Sequence, residues 1–332
     1  MNVLQKPQAD TLAASMDDYI IDTDVTIRFT VTYKGNAILD EEYVPDAQNQ
    51  VRIRRLGKFC NMALWGIWPD GRQTWQQNAA GSFSFSFNQV LDSASHVLFC
   101  RALPQAKDNP PAFLSMVQRK ITHEGCAEYL SVPSVADTSQ IEFQAYDADG
   151  LVKSTHIQLS GEYPKDCPLT MDTSLEYMRI LMPDVDIVRY SVVSNGHTFE
   201  YVVDPTRYVR LWQFRYKNIY DMPETLTAKG LLSIEASDES DQADLFGVTR
   251  KFGVRVTDEY TVNSGSILLQ SDYRLWRDLL HACEVQIKVD DEWLPIVITN
   301  MKYERDFRKS VMKTVEFSFK MADNNHYNLI DL

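Results

Sequence analysis

The chain has 332 residues and a formal net charge of −13, from 33 Lys and Arg against 46 Asp and Glu. That balance argues against a protein that wraps nucleic acid or coats an anionic membrane, since both need a positive face. Apolar residues make up 44% and aromatics 11%, which is enough material for packed cores and excludes wholesale disorder, and the length suits two domains.

Met1–Thr23 has neither a basic start nor a continuous apolar run, so no export signal is expected. No later stretch approaches the roughly 20 apolar residues that cross a bilayer. The expectation is synthesis in a cytoplasm with no membrane association. Val25, Ile27, Phe29, Val31 and Tyr33 then alternate with Thr26, Arg28, Thr30 and Thr32, which predicts a half-buried strand. Lys34-Gly35-Asn36 turns it into Ala37–Val44, a first hairpin. Phe83, Phe85 and Phe87 alternate with serines in the same way, and Val97–Cys100 reads as a strand covered on both faces. Pro110-Pro111-Ala112 opens a predicted helix to Ile121, with Phe113, Leu114, Val117 and Ile121 at helical spacing. Ile141, Phe143 and Ala145 lead through the turn Asp147–Gly150 to a returning strand, Leu151–Leu159. Short strands with turn chemistry between them predict an antiparallel β-sandwich-like domain over residues 1–165.

Pro164, Cys167 and Pro168 interrupt the pattern, so the second domain is expected over residues 166–332. It reads as strands at Phe199–Val203, Tyr208–Tyr216, Gly230–Ala236, Phe252–Tyr260 and Ile267–Gln270. One helix follows, 272–283, capped by Ser271 or Asp272. Leu275, Trp276, Leu279, Leu280 and Cys283 form its stripe, and Arg274, Arg277, Asp278 and His281 lie opposite. Val285–Val289, Trp293–Thr299 and Val315–Met321 alternate with period two and close the domain. The acidic run Asp238–Asp244 reads as a solvated loop between strands.

Enzyme motifs are missing. There is no P-loop, no G-x-G-x-x-G and no G-x-S-x-G, and His123-Glu124 lacks the second His of a zinc helix, with Ala127 at that position. The six histidines stand singly. The five cysteines (Cys60, Cys100, Cys126, Cys167, Cys283) contain no C-x-x-C pair, so free thiols are expected and no cofactor or metal. Asp147-Ala148-Asp149-Gly150 opens like a calcium loop, but Leu151, Val152 and Lys153 follow where ligands are needed.

One stretch stands out. Tyr208, Arg210, Trp212, Phe214 and Tyr216 share one face of a strand if its period of two holds, with Arg215 and Lys217 opposite. Tyr, Trp and Arg dominate interface hot spots, so these five are the interface candidates. The same pattern also suits an aromatic core face, or a platform for stacking sugars or unpaired bases.

Residues Val254–Tyr260, Val262–Ile267, Asp272–Trp276, Glu292–Pro295 and Lys309–Phe319 give two strands, a helix, a hairpin and a closing strand. This order resembles the split-barrel domains of phage tail, baseplate and contractile-injection proteins. The resemblance implies a split-barrel-like C-terminal fold. It also implies a non-enzymatic assembly subunit of phage or prophage origin, binding copies of itself and other structural proteins and incorporated into a particle. The alternatives are a carbohydrate-binding or adhesion module, whose partner would be a glycan, and a metal- or carboxylate-dependent hydrolase.

Overall fold

The computed structural model describes residues 1–102, 111–134, 141–157, 164, 166–302 and 313–323. Among them the chain is mostly β, with 23 strands, one 3-10 turn and three α-helices: α1 Leu56–Met62, α2 Leu175–Leu181 and α3 Asp272–Leu280.

The alternating N-terminal residues form two facing sheets. One is five-stranded, in the order Asp10–Leu12, Val90–Leu98, Ala80–Phe87, Ile27–Tyr33, Asn36–Tyr43; the other joins Asn2–Gln5, Tyr19–Asp22 and Gln50–Ile53. Their inward residues meet in one core, where the Tyr19 ring lies 5.4 Å from Phe29 and 5.3 Å from Phe87, edge to face. Lys34 and Gly35, at φ 48° and 81°, make the expected turn of the first hairpin.

The middle of the chain builds a second five-stranded sheet, in the order Arg119–Thr122, His197–Val203, Arg189–Ser194, Ile141–Tyr146, Leu151–His156. A three-stranded sheet of Tyr129–Val132, Leu169–Asp172 and Gln73–Trp75 accompanies it. Strands from either side of residue 165 pair in both sheets.

The C-terminal sheet has seven antiparallel strands, in the order Pro223–Ala228, Trp212–Lys217, Val285–Val289, Glu292–Lys302, Glu316–Met321, Val248–Asn263, Leu232–Leu245. Helix α3 lies on it, as its apolar stripe predicts. Tyr273, Leu275, Trp276, Leu279 and Leu280 are buried with Phe214, Phe317 and Phe319, and the Tyr216 hydroxyl donates to the Leu275 carbonyl at 3.1 Å.

Five expectations are corrected. The predicted helix at 110–121 is absent: residues 111–118 are irregular and Arg119–Thr122 is a strand, parallel to Glu200–Val203 (Pro110 itself lies outside the described residues). Its apolar residues serve two cores, Phe113 and Val117 in one and Leu114 in another, so no single stripe exists. Ile267–Gln270 is not a strand, because Gly265 at φ 70° ends the ladder first. The strand expected at Tyr208 begins only at Trp212. Helix α3 stops at Leu280, which leaves Cys283 exposed, and Asp278 lies buried rather than on the solvent face. The acidic run Asp238–Asp244 is no loop but part of the long strand Leu232–Leu245. The end of the expected Leu151–Leu159 strand and the start of Lys309–Phe319 lie outside the described residues. Among the described residues no helix is long and apolar enough to cross a membrane.

Candidate assembly interface

The strand Trp212–Lys217 puts its two faces to different uses. Trp212, Phe214 and Tyr216 point into the core, 9%, 0% and 0% exposed, and Phe214 packs edge-on to Phe317 at 5.2 Å. They are structural, and no partner can reach Phe214 or Tyr216. Tyr208 and Arg210 precede the strand. Asp204 turns the chain there: its carboxylate accepts from the Thr206 amide, the Tyr208 hydroxyl at 2.9 Å and the Lys229 ammonium at 3.2 Å. Those donors outweigh partial burial and hold Asp204 below the usual carboxylate range. Arg210 is exposed, with its guanidinium over the Trp212 ring at 4.2 Å. The five candidates thus divide into three core residues and two residues at a surface corner.

The opposite face carries more chemistry than its sequence suggested. Arg215 is clamped between the rings of Trp68 and Trp293, at 4.7 and 4.6 Å, and its Nε donates to Gln286. Lys217, 2% exposed, sets its Nζ 4.6 Å from the Trp68 ring with no hydrogen-bond partner among the described residues, and burial lowers its pKa to about 8. Gly66 makes the approach of Trp68 possible. A Cβ there would stand 1.9 Å from the Asp221 carbonyl oxygen, so only glycine lets the Trp65–Trp68 loop close on the Lys217–Met222 corner. Trp68 and Trp293 are too distant in sequence from Arg215 for a local pattern to reveal the clamp.

Two titratable clusters lie deeper. Lys120 donates to Glu128 at 2.5 Å, Glu224 at 3.1 Å and Thr225 at 2.9 Å, all four residues buried. Burial alone would lower the Lys120 pKa, but the two carboxylates outweigh it and raise it, while burial raises Glu128. Beside them a cavity of about 30 Å³ is lined by His123, Lys229, Asp272 and Trp276, enough for one or two waters. Burial lowers His123 to about 4 and raises Asp272 to about 6. The Lys120 cluster is closed and fully partnered, which suits a structural bond better than a site that must receive substrate. Among the described residues no three His, Cys, Asp or Glu side chains gather to hold a metal.

Among the described residues the least enclosed region is an arm. Beyond Tyr260–Asn263, which pairs with Glu316–Phe319, residues 248–259 pair, among the described residues, with the sheet-edge strand Leu232–Leu245 alone. The two strands project as a ribbon roughly 30 Å long, and every residue from Asp241 to Gly253 is exposed. At its tip Phe246 and Gly247 have φ of 54° and 78°, a two-residue turn with both central residues left-handed. Asn, Asp or Gly is the usual choice for the first position; here it is a phenylalanine, 99% exposed, flanked by Leu245 and Val248 at 51% and 56%. Phe252, 53% exposed, adds a fourth apolar residue.

No family model matches the sequence, and no curated protein matches it. Part of the chain weakly resembles particle proteins of known structure. A chain in the virion of a native gene transfer agent particle is 14% identical, with 30% of this chain and 85% of that chain covered at a TM-score of 0.23. A chain in the tail of an empty gene transfer agent particle gives 14%, 30%, 83% and 0.23. A chain of the phage p2 baseplate in its activated conformation is 10% identical over 34% of this chain and 44% of that chain, at a TM-score of 0.24.

Proposed function

We propose that this protein is a non-enzymatic structural subunit of a phage-tail or baseplate-like particle, and that the arm is its main contact element. The observation that carries this reading is Phe246, an aromatic side chain fully exposed on a backbone conformation that costs a non-glycine residue about 1–3 kcal/mol. Among the described residues no side chain covers Phe246, so a partner that buries Leu245, Phe246 and Val248 would account for an aromatic at this turn. The ribbon itself supports the same reading, because a two-stranded hairpin is marginal in water until something completes it. The sequence resemblance of the C-terminal strands and helix to split-barrel tail domains agrees in kind.

The sugar-binding alternative asked for exposed coplanar rings along Tyr208–Tyr216. Trp212, Phe214 and Tyr216 are buried, so that strand offers none.

The test is a chain in which Phe246 becomes Asp, followed into particles purified from cells that make the protein. The variant should melt as the parent does and be lost from particles or co-purifying complexes. Normal incorporation would refute the arm's role.

A further inference from the structure

A cleft of about 270 Å³ brings together four segments far apart in sequence: the loop 69–71, residues 125–129, residues 172–176 at the start of α2, and Lys288 of the C-terminal sheet. Ser174 and Cys126 on its walls are buried, whereas Gly71, Gly125 and Glu176 are exposed, so it has a closed floor and an open mouth. The two glycines keep it clear, since a Cβ at either would meet nothing within 4 Å. Its polar groups carry both signs and are only partly used by the fold. Asp172 gives one carboxylate oxygen to the Ser174 amide at 2.9 Å, and Ser174 itself caps α2, which leaves the exposed Glu176 without a capping duty. Lys288 pairs with Asp291 at 3.8 Å, at the outer limit of an ion pair and away from both carboxylates of the cleft. Tyr129 is half-buried, with the Arg215 guanidinium beside its hydroxyl.

We infer that this cleft binds one neutral sugar ring, between the carboxylates of Asp172 and Glu176 and the ammonium of Lys288. Charge decides against an ionic ligand. Two carboxylates face Lys288 and the Arg215 behind Tyr129, so an anion or a cation would be repelled by one wall as much as attracted by the other. An apolar ligand fails too, because it would strip water from those groups and leave them unbonded. A hydroxyl both donates and accepts, so a ring bearing several can donate to Asp172 and Glu176 and accept from Lys288, each bond strengthened by the charged partner. Tyr129 adds an apolar ring body with a polar tip, which suits a ligand having both kinds of surface. The volume lies just under the roughly 300–1,000 Å³ of sites for drug-sized molecules, which limits the occupant to a single ring. The buried strand Trp212–Tyr216 has no part in this site. Nor does the inference rest on the arm, so the assembly reading and the sugar site stand or fall separately.

The test titrates the full chain with small sugars by ligand-observed NMR. The probes are glucose, galactose and N-acetylglucosamine, with glucuronate, glucosamine and free arginine as charged counterparts. At least one neutral sugar should bind with Kd on the order of 1 mM, the range open to a ligand of so few atoms, and the charged probes at least about tenfold more weakly. Glu176→Gln and Lys288→Met should each weaken the neutral sugar by about tenfold while melting as the parent does, since neither side chain belongs to a core. Absence of binding by all three neutral sugars up to about 50 mM would overturn the inference. So would binding that both variants leave unchanged, or a charged sugar held as tightly as its neutral counterpart. Arginine bound more tightly than any sugar would also overturn it and give the cleft to a basic side chain of a partner protein. None of these outcomes bears on whether Phe246→Asp is lost from particles.

Discussion

At its centre the C-terminal sheet buries Phe214, Tyr216, Ile287 and Phe319 completely, whereas along its two outermost strands every residue from Asp241 to Gly253 is open to solvent. Both regions are strands, and they persist for different reasons. In the first, aromatic side chains fill the space under α3 and the backbone ladder follows. In the second the ladder and the tip turn hold alone, and the side chains face water. Burial at a strand position is thus set by what covers the face, and a strand can be extended well past its cover if it presents charge.

The comparison breaks most readily at the covered end. Trp276→Ala should empty the space between α3 and Phe317, whose rings now lie 6.2 Å apart, and cost about 3–5 kcal/mol in denaturant unfolding. An unmoved midpoint would mean that α3 contributes little to the sheet. Lys120→Met should cost a similar amount, about 3–5 kcal/mol, because Glu128 and Glu224 would be left buried without their cation.

Lys217 gives a smaller effect of opposite sign. Burial lowers its pKa from 10.5 to about 8, so between those values the unfolded chain binds more protons than the folded one and stability rises with pH. Lys217→Met should therefore stabilise the fold at pH 7 by about 1–3 kcal/mol, with the gap to the parent narrowing toward pH 10. A gap independent of pH would show that the ammonium is not what carries the cost. The smallest effect belongs to the exposed end. Phe246→Asn gives the turn a residue suited to positive φ and should leave stability equal or raise it by about 0.5–1 kcal/mol, read as a melting shift, while particle incorporation falls.

Much of this fold was legible because alternation is a local signal. Ile27–Tyr33, Phe83–Phe87, Val285–Val289 and Phe317–Met321 lie where their period places them, and so do Leu275, Trp276, Leu279 and Leu280 of the α3 stripe. The failures share a cause. Phe113, Leu114 and Val117 looked like one helical face because spacing does not say that two cores will draw on them. The acidic run looked like a loop because charge is read as solvation, although a ribbon with no cover has no need of apolar residues. At the candidate site, the aromatic strand was visible but not which face water would reach, since that depends on α3 and on Trp68, Arg215 and Trp293 meeting across the fold.

The pairing of early strands with late ones sets the order in which the chain can be completed as it is made. The strands of the facing N-terminal sheets all lie within Asn2–Leu98, so their ladders can close once that residue has emerged, although Leu12, Ala80 and Leu98 pack later against Leu114 and Ile219–Met222. Gln73–Trp75 must wait for Leu169–Met171, and Arg119–Thr122 for Glu200–Val203. At roughly 5–20 residues per second, those edges stand open for several seconds or more. During that interval Phe113, Val117 and Val132 have no core to enter, so the nascent chain passes through a stage in which a finished sandwich carries a sticky, unfinished tail.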